Sequence, residues 1–139
     1  MKNKYTKKNG FTLIELLVVL VIITLLATLV GPQLFQKLGS SKVKVAGAQI
    51  ALLSSALDTF RLDTGHYPST DQGLQSLIKK PAKEKNWDGP YLAEEVPLDP
   101  WENEYHYKRP GKNGPYALFT LGQDATEGGD HEAKDQGKF

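Results

Sequence analysis

The sequence predicts an α+β fold: a long N-terminal helix, apolar and protruding in its first half, packs on a short helix and a small antiparallel β-sheet. Residues 11–30 form an apolar run with a single charge, and apolar residues then recur every three or four positions to about residue 63. Two short strand-like segments lie further on, separated by a loop rich in proline and glycine. A continuous helix from Phe11 to Asp63 would measure about 80 Å. A chain of 139 residues cannot bury a helix of that length, so lipid or other chains must cover its first half.

Charge is unevenly distributed along a chain that is almost neutral as a whole. The 17 basic residues nearly balance the 16 acidic ones, but four lysines and no acid fall within residues 1–10. The remainder carries 13 bases and 16 acids, a net charge of −3. Because no basic patch is interleaved with aromatic residues, we expect no nucleic-acid binding. The chain has no cysteine, which excludes disulfides and thiolate metal sites, so a small extracytoplasmic domain must draw stability from a metal or from neighbours in an assembly.

The apolar run from Phe11 to Val30 is long enough to cross a bilayer. As a helix, its 20 residues span about 30 Å, the thickness of the hydrocarbon core. The lysines before it favour a cytoplasmic N-terminus, with the residues after Pro32 outside. A cleaved secretory signal would have a shorter apolar stretch and a small-residue exit site, which Ala27-Thr28-Leu29 does not provide. A plain uncleaved anchor is the other alternative.

Glu15 is the single charge in this run, and it argues against both alternatives. A carboxylate inside the membrane is costly, and such residues are by default functional and paired. The nearest lysines lie seven and eight residues earlier, in the basic segment before the run. We favour a partner from another chain, because such pairing would set one axial register between neighbouring subunits. The alternative, that Glu15 serves only recognition by processing or assembly machinery, stays open.

The segment Lys-Lys-Asn-Gly-Phe-Thr-Leu-Ile-Glu-Leu, from Lys7 to Leu16, resembles the processing signal of type IV pilins and pseudopilins. In that family the prepilin peptidase cuts after the glycine and methylates the new N-terminus. The resemblance implies cleavage between Gly10 and Phe11, a methylated Phe11 amine, and pairing of that amine with Glu15 of a neighbouring copy in a helical filament. Gly10 suits such cleavage because it has no side chain, so a protease can approach the backbone closely.

The chain then divides into three parts. The resemblance implies that residues 1–10 are the leader, residues 11–31 the transmembrane and filament-core helix, and residues 32–139 a periplasmic globular domain held at the inner membrane by that single span. Gly31 and Pro32 should break or kink the helix, because proline removes a backbone donor and clashes with the carbonyl of the preceding turn.

An amphipathic helix follows, to about residue 63. The apolar residues of its stripe are Leu34, Phe35 and Leu38, then Ala46, Ile50, Leu53, Leu57 and Phe60. The helix should end near Gly65, a residue type that commonly terminates helices. The capping-box spacing of Ser69 and Gln72 opens a short helix, which Pro81 closes.

Two strands are expected, from Tyr105 to Lys108 and from Tyr116 to Leu121. The loop 110–115, rich in glycine and proline, joins them as an antiparallel hairpin. The remaining segment, 121–139, is predicted to be an acidic C-terminal loop.

Several of these later segments narrow the resemblance. Arg61–Thr70, Gln72–Leu74, Gly89–Leu92, Asp99–Trp101 and Leu121–Gly122 closely resemble the major pseudopilins of bacterial type II secretion systems. The resemblance covers nearly the whole chain and implies a type IV pilin-like fold. It also implies a structural subunit that polymerises into a periplasmic pseudopilus and helps export folded proteins across the outer membrane. Minor pseudopilins, an inner-membrane assembly platform and a cytoplasmic ATPase are the implied partners. The chain departs from the family pattern at Glu102, where the family usually has glycine, which predicts a less sharp loop.

Residues 122–137 are acidic: Asp124, Glu127, Asp130, Glu132 and Asp135 face one base, Lys134. Flexible, oxygen-rich loops suit Ca²⁺, but the spacing does not match an EF-hand, and from the residues alone a solvated tail is the simpler interpretation. The family resemblance reverses this preference. It implies one structural calcium ion held by the Leu121 carbonyl, Asp124 and Asp135, with Asp130 and Glu132 as further candidates. Such an ion would fasten the C-terminus to the sheet and link folding to metal binding.

No catalytic arrangement is recognisable in the sequence. The three histidines lie in no zinc-protease motif, no serine lies in G-x-S-x-G, and there is no P-loop. We therefore expect no enzymatic activity and an external source of assembly energy. Two alternative functions stay open. The first is a type IV pilus or competence pilin, although most Gram-negative examples carry a C-terminal cysteine pair. The second is a membrane-tethered binding domain that never polymerises.

Overall fold

The computed structural model describes residues 10–139, apart from the side chain of Gln36. Its elements in chain order are helix α1 (Leu13–Thr64), a 3-10 helix (Leu74–Leu77), strands β1 (His106–Lys108) and β2 (Ala117–Thr120), a second 3-10 helix (His131–Ala133) and strand β3 (Gln136–Lys138). The long N-terminal helix and the small antiparallel sheet confirm the predicted fold class. The leader as far as Asn9 lies outside the described residues.

The chain forms two compact units, Met1–Lys37 and Leu38–Phe139, and α1 contributes to both. In the first unit, every residue from Phe11 to Val30 is exposed. By length and composition, α1 is the one helix among the described residues that could cross a membrane. The hydroxyls of Thr24 and Thr28 donate to carbonyls of the preceding turn, those of Leu20 and Leu25, both at 2.8 Å. Such internal satisfaction of polar groups suits a helix in lipid.

The helix continues through Gly31 and Pro32 without interruption. The sequence predicted either a break or a kink at this point. The predicted break is wrong, and the kink stays a prediction. Proline removes one hydrogen bond from the helical ladder. A helix of 52 residues retains enough other hydrogen bonds on both sides to stay helical through the proline.

The core of the second unit is built on one face of α1. All five later members of the predicted stripe are buried: Ala46, Ile50, Leu53, Leu57 and Phe60. The side chains packed around them are Tyr67, Leu74, Leu77, Leu92, Tyr105, Tyr107, Tyr116 and Leu118. The earlier members of the stripe, Leu34, Phe35 and Leu38, are exposed instead and extend the uncovered apolar surface.

The end of α1 and the turn after it follow the predicted chemistry. Gly65 has φ 82°, and its amide donates to the Arg61 carbonyl at 2.8 Å. The capping box is present: the Ser69 amide donates to Gln72 Oε1 at 2.7 Å, and the Gln72 amide donates to Ser69 Oγ at 3.2 Å. The short helix that follows is a 3-10 helix of four residues.

The sheet contains the predicted hairpin and one further strand. β1 and β2 pair antiparallel, and both strands are shorter than predicted. β3 pairs antiparallel with β2, with Gln136 opposite Thr120, so the prediction that 121–139 is loop throughout is wrong. β3 lacks any alternation of apolar residues that would mark it in the sequence. Its Gly137 lies so close to the Leu118 carbonyl that a Cβ would not fit.

The turn from Asp99 to Asn103 is tight despite the missing glycine. The Glu102 amide donates to the Asp99 carbonyl at 2.9 Å, and the Asp99 amide donates to the Asn103 carbonyl at 2.8 Å. Glu102 has φ 70°, in the left-handed region that favours glycine. The less sharp loop predicted from the sequence is therefore wrong, because the glutamate adopts the backbone conformation of a glycine at an energetic cost.

Candidate functional site

The predicted cleavage point lies at the exposed start of the described chain. Apart from the neighbouring residues in the chain, no heavy atom of the described residues lies within 4 Å of the place where a Cβ on Gly10 would be, and Phe11 is 83% exposed. The peptide bond between them precedes α1, which begins at Leu13. Access to this bond therefore requires no unwinding of the helix.

Thr12 and Glu15 form a capping box at the start of α1. The backbone amide and the hydroxyl of Thr12 both donate to Glu15 Oε2, at 2.8 Å and 2.9 Å. The Glu15 amide donates in return to Thr12 Oγ1 at 3.3 Å. These bonds satisfy amides that the first helical turn leaves without partners. The role was missed in the sequence, although Thr-Leu-Ile-Glu has the ordinary spacing of a capping box.

The environment of Glu15 is otherwise apolar and open. Its neighbours Leu13, Ile14, Leu16 and Leu17 are exposed. Within the described residues no basic group pairs with Glu15, and both of its side-chain hydrogen bonds use Oε2. Oε1 therefore has room for a donor from elsewhere.

The acidic segment, defined here as residues 121–135, is folded back on itself and is not a loose tail. The Gln123 amide donates to the Glu132 carbonyl at 2.9 Å. The Asp135 amide donates to the Gly128 carbonyl at 3.3 Å, and the Gly128 amide donates to Asp135 Oδ2 at 3.0 Å. The segment is thus closed by backbone contacts before strand β3 begins.

The candidate calcium ligands do not converge into one cluster of carboxylates. Asp124 Oδ1 accepts the Thr126 amide at 3.2 Å, Asp130 is exposed, and Glu132 Oε2 accepts the Trp101 indole N–H at 3.3 Å. In the part of the chain that the structure describes, no three His, Cys, Asp or Glu side chains are placed to hold a metal ion. A cage built mainly from carboxylates therefore does not fit these residues.

Asp135 nevertheless lacks a partner that its burial demands. Its Oδ1 is buried and accepts no hydrogen bond from any residue that the structure describes. A buried carboxylate oxygen without a donor is costly, and a hard cation is one way to satisfy it. Calcium takes backbone carbonyls as readily as carboxylates, and the Leu121 carbonyl belongs to the same segment. A cation at Asp135 would therefore take most of its other ligands from backbone oxygens.

Two family models match the chain, one over its N-terminal segment and one over the rest. A family model described as "Type II secretion system (T2SS), protein G" matches residues 33–138. The chain belongs to this protein G family. A second model, "Prokaryotic N-terminal methylation motif", matches residues 5–31.

Relatives of the protein G family resemble the chain over most of its length. The type II secretion system core protein G of Pseudomonas aeruginosa is 44% identical over 136 residues, covering 96% of each chain. The core protein G of Vibrio cholerae is 41% identical over 139 residues, covering 98% of this chain and 94% of the relative. The crystal structure of the major pseudopilin from the type 2 secretion system of enterohaemorrhagic Escherichia coli matches with a TM-score of 0.64 at 32% identity. That match covers 76% of this chain and 93% of the crystallised one.

Membership of the protein G family confirms the predicted fold and class of function. The chain has the pseudopilin fold, and it is a structural subunit of type II secretion and not an enzyme. The methylation motif implies processing by a prepilin peptidase. An apolar N-terminal helix in a pseudopilin fits a membrane-anchored periplasmic protein.

Proposed function

We propose that this chain, once its leader is removed, polymerises through the first half of α1 into the periplasmic pseudopilus and so helps to export folded proteins across the outer membrane. The observation that carries the proposal is the run Phe11–Val30, in which every residue is exposed. Soluble monomers rarely expose a contiguous apolar patch larger than roughly a few hundred Å². Lipid therefore covers this surface before assembly, and neighbouring copies cover it in the filament.

Cleavage falls between Gly10 and Phe11 and leaves a methylated amine on Phe11. The exposure of this peptide bond ahead of α1 supports the assignment. Before cleavage, the lysines of the leader hold the N-terminus in the cytoplasm by the positive-inside rule. Residues 11–31 then form the single span of the inner membrane, and residues 32–139 lie in the periplasm.

Glu15 sets the register between subunits by accepting the Phe11 amine of an adjacent copy. Two observations support this role: Oε1 accepts no hydrogen bond within the described residues, and the capping bonds from Thr12 hold the carboxylate at the start of the helix. A charge of either sign is costly in an apolar bundle when its partner is absent. Subunits that slide out of register would leave both charges unpaired, so one stagger is favoured.

Assembly depends on partners because the chain has no nucleotide-binding motif of its own. We assign the energy to a cytoplasmic ATPase that acts through the inner-membrane platform. Minor pseudopilins are the other expected components of the filament, and a prepilin peptidase supplies the mature chain.

One calcium ion in the acidic segment completes the proposal. The unpartnered Oδ1 of Asp135 supports it, together with the five acids and one base of the surrounding sequence. Asp135, Asp124 and the Leu121 carbonyl are the proposed ligands. Asp130 and Glu132 are further candidates, and Glu132 Oε2 already accepts the Trp101 indole N–H. Calcium chelation should lower the melting temperature of the protein in detergent, because ion binding adds to the stability of the folded state.

The decisive experiment replaces Glu15 by glutamine. Glutamine also serves in a capping box, so Glu15→Gln removes the charge and keeps the helix start. Thr24→Val is the matched control, since its hydroxyl is satisfied inside the same apolar run. We expect mass spectrometry to find both variants trimmed to Phe11, and electron microscopy to find filaments only with Thr24→Val and the wild type. Filaments of Glu15→Gln at wild-type abundance would refute the proposed pairing. An untrimmed wild-type chain would refute the whole proposal.

A further inference from the structure

Asp99 is a buried carboxylate held by three donors, and none of them is a basic side chain. The residue is 4% exposed. Its Oδ1 accepts the backbone amides of Trp101 at 2.9 Å and Asn103 at 2.8 Å, and its Oδ2 accepts the hydroxyl of Thr120. Hydrogen bonds to a charged acceptor are stronger than neutral ones and offset the cost of burying the charge. Since both oxygens are occupied, Asp99 organises the turn Asp99–Asn103 and is not itself available as a ligand.

One side of this turn holds the start of the acidic segment. The Gly122 amide donates to Thr120 Oγ1 at 3.1 Å, and the Asn103 side-chain amide donates to the Gly122 carbonyl at 3.2 Å. Gly122 has φ 73° and packs so closely on the backbone of Glu132 that a Cβ would not fit. Leu121, which lies between two residues held in this way, has little freedom to move its carbonyl.

The acidic segment has two arms, its start at Leu121 and Gly122 and the part around Glu132. The other side of the turn holds the second arm. The Trp101 indole N–H donates to Glu132 Oε2 at 3.3 Å. The Glu132 carboxylate also lies against Gly39 of α1, where a Cβ would overlap it. The Gln123 amide bonded to the Glu132 carbonyl joins the two arms. A single turn therefore contacts both arms of the acidic segment.

We propose that Asp99 is a positioning residue: through the turn Asp99–Asn103 it clamps both arms of the acidic segment in the conformation that receives a hard cation. The inference rests on the calcium ion of the proposed function, but the clamp itself consists only of bonds between protein groups. A loop that is already ordered loses less conformational entropy on binding, so the clamp raises the affinity for calcium. The ion binds to a prepared loop and does not have to fold it.

Two tryptophan variants of the full-length protein in detergent test the clamp. Trp101→Phe removes the donor to Glu132, and Trp87→Phe is the matched control, because Trp87 Nε1 donates to the Ser76 carbonyl at 2.8 Å, in a different part of the core. Calorimetric titration measures calcium affinity. Hydrogen exchange in chelator measures whether the Gln123 amide is protected without the ion. We expect Trp101→Phe to weaken calcium binding about tenfold, the effect of one hydrogen bond to a charged group, and to speed exchange at Gln123. Trp87→Phe should do neither.

Equal calcium affinity and equal exchange in the two variants would overturn the clamp. Rapid exchange of Gln123 in wild-type protein with chelator would also overturn it. If the wild type binds no calcium, the calcium proposal is refuted, and hydrogen exchange in chelator alone tests the clamp. In that case, protection of the Gln123 amide that is lost only in Trp101→Phe supports the clamp. Should Trp101→Phe fail to fold, Thr120→Val and Thr120→Ser replace it. The valine variant loses the hydroxyl bonded to Asp99, and the serine variant should restore wild-type affinity and protection.

Discussion

Replacing Glu102 by glycine should raise the free energy of unfolding by about 0.5–1 kcal/mol. Glu102 has φ 70°, and holding an L-residue in the left-handed region costs about 1–2 kcal/mol. Glycine removes that cost. The unfolded state of the glycine variant has more conformational entropy, however, which reduces the gain in stability by about 0.4–1 kcal/mol. Little else changes, because the Glu102 side chain is exposed and its hydrogen bond to the Asp99 carbonyl comes from the backbone amide.

The assay is thermal unfolding of the full chain in detergent, followed by circular dichroism. For a folded unit of this size, the expected gain corresponds to a rise in melting temperature of about 2–8 °C. Glu104→Gly is the control: it removes the same exposed charge two residues later, at a position without positive φ. We expect Glu104→Gly to be neutral or destabilising. If Glu102→Gly is no more stable than Glu104→Gly, the glutamate is not strained and the reasoning fails.

Two further predictions concern the helix and the core. Gly47→Ala should stabilise the protein by about 0.5–1 kcal/mol, because alanine loses less entropy in a helix. Apart from the backbone of the same helix and the chain neighbours, no described atom lies within 4 Å of the new Cβ. Gly39→Ala should gain less, since its Cβ would meet the Glu132 carboxylate, and equal gains in chemical denaturation would contradict this. Burial raises the pKa of Tyr107 above its ordinary value of 10.0, so the folded state keeps a proton that the unfolded chain loses, and stability should fall as pH rises above about 10. Tyr107→Phe should be less stable at about pH 8, since the hydroxyl no longer donates to the Pro68 carbonyl at 2.8 Å, yet should lose less on going to about pH 11. The free energy of unfolding is measured in urea at both pH values. If it falls as much with pH in Tyr107→Phe as in the wild type, the assignment to Tyr107 is contradicted.

Local patterns in the sequence predicted a large part of this fold. The stripe that ends at Phe60, the stop at Gly65 and the capping box of Ser69 all depend on residues within a few positions of each other, and the structure has each of them. Strand β3 was missed because its pairing to β2 uses backbone groups and a glycine, which leave no periodic trace in the sequence. The candidate cation site was predicted as four acids and the Leu121 carbonyl, and three of those acids, Asp124, Glu132 and Asp135, accept hydrogen bonds from protein groups.

The sequence by itself determined that the first half of α1 cannot be covered by its own chain, because an apolar run of bilayer length with one carboxylate is a property of consecutive residues. It also determined the family, through motifs that lie in continuous stretches. Only the tertiary structure decided that Asp99 is buried as the centre of a turn, and that Trp101 reaches Glu132, which lies 31 residues further along the chain. Contacts of that kind depend on which distant segments the folded core brings together, and no spacing along the chain records them.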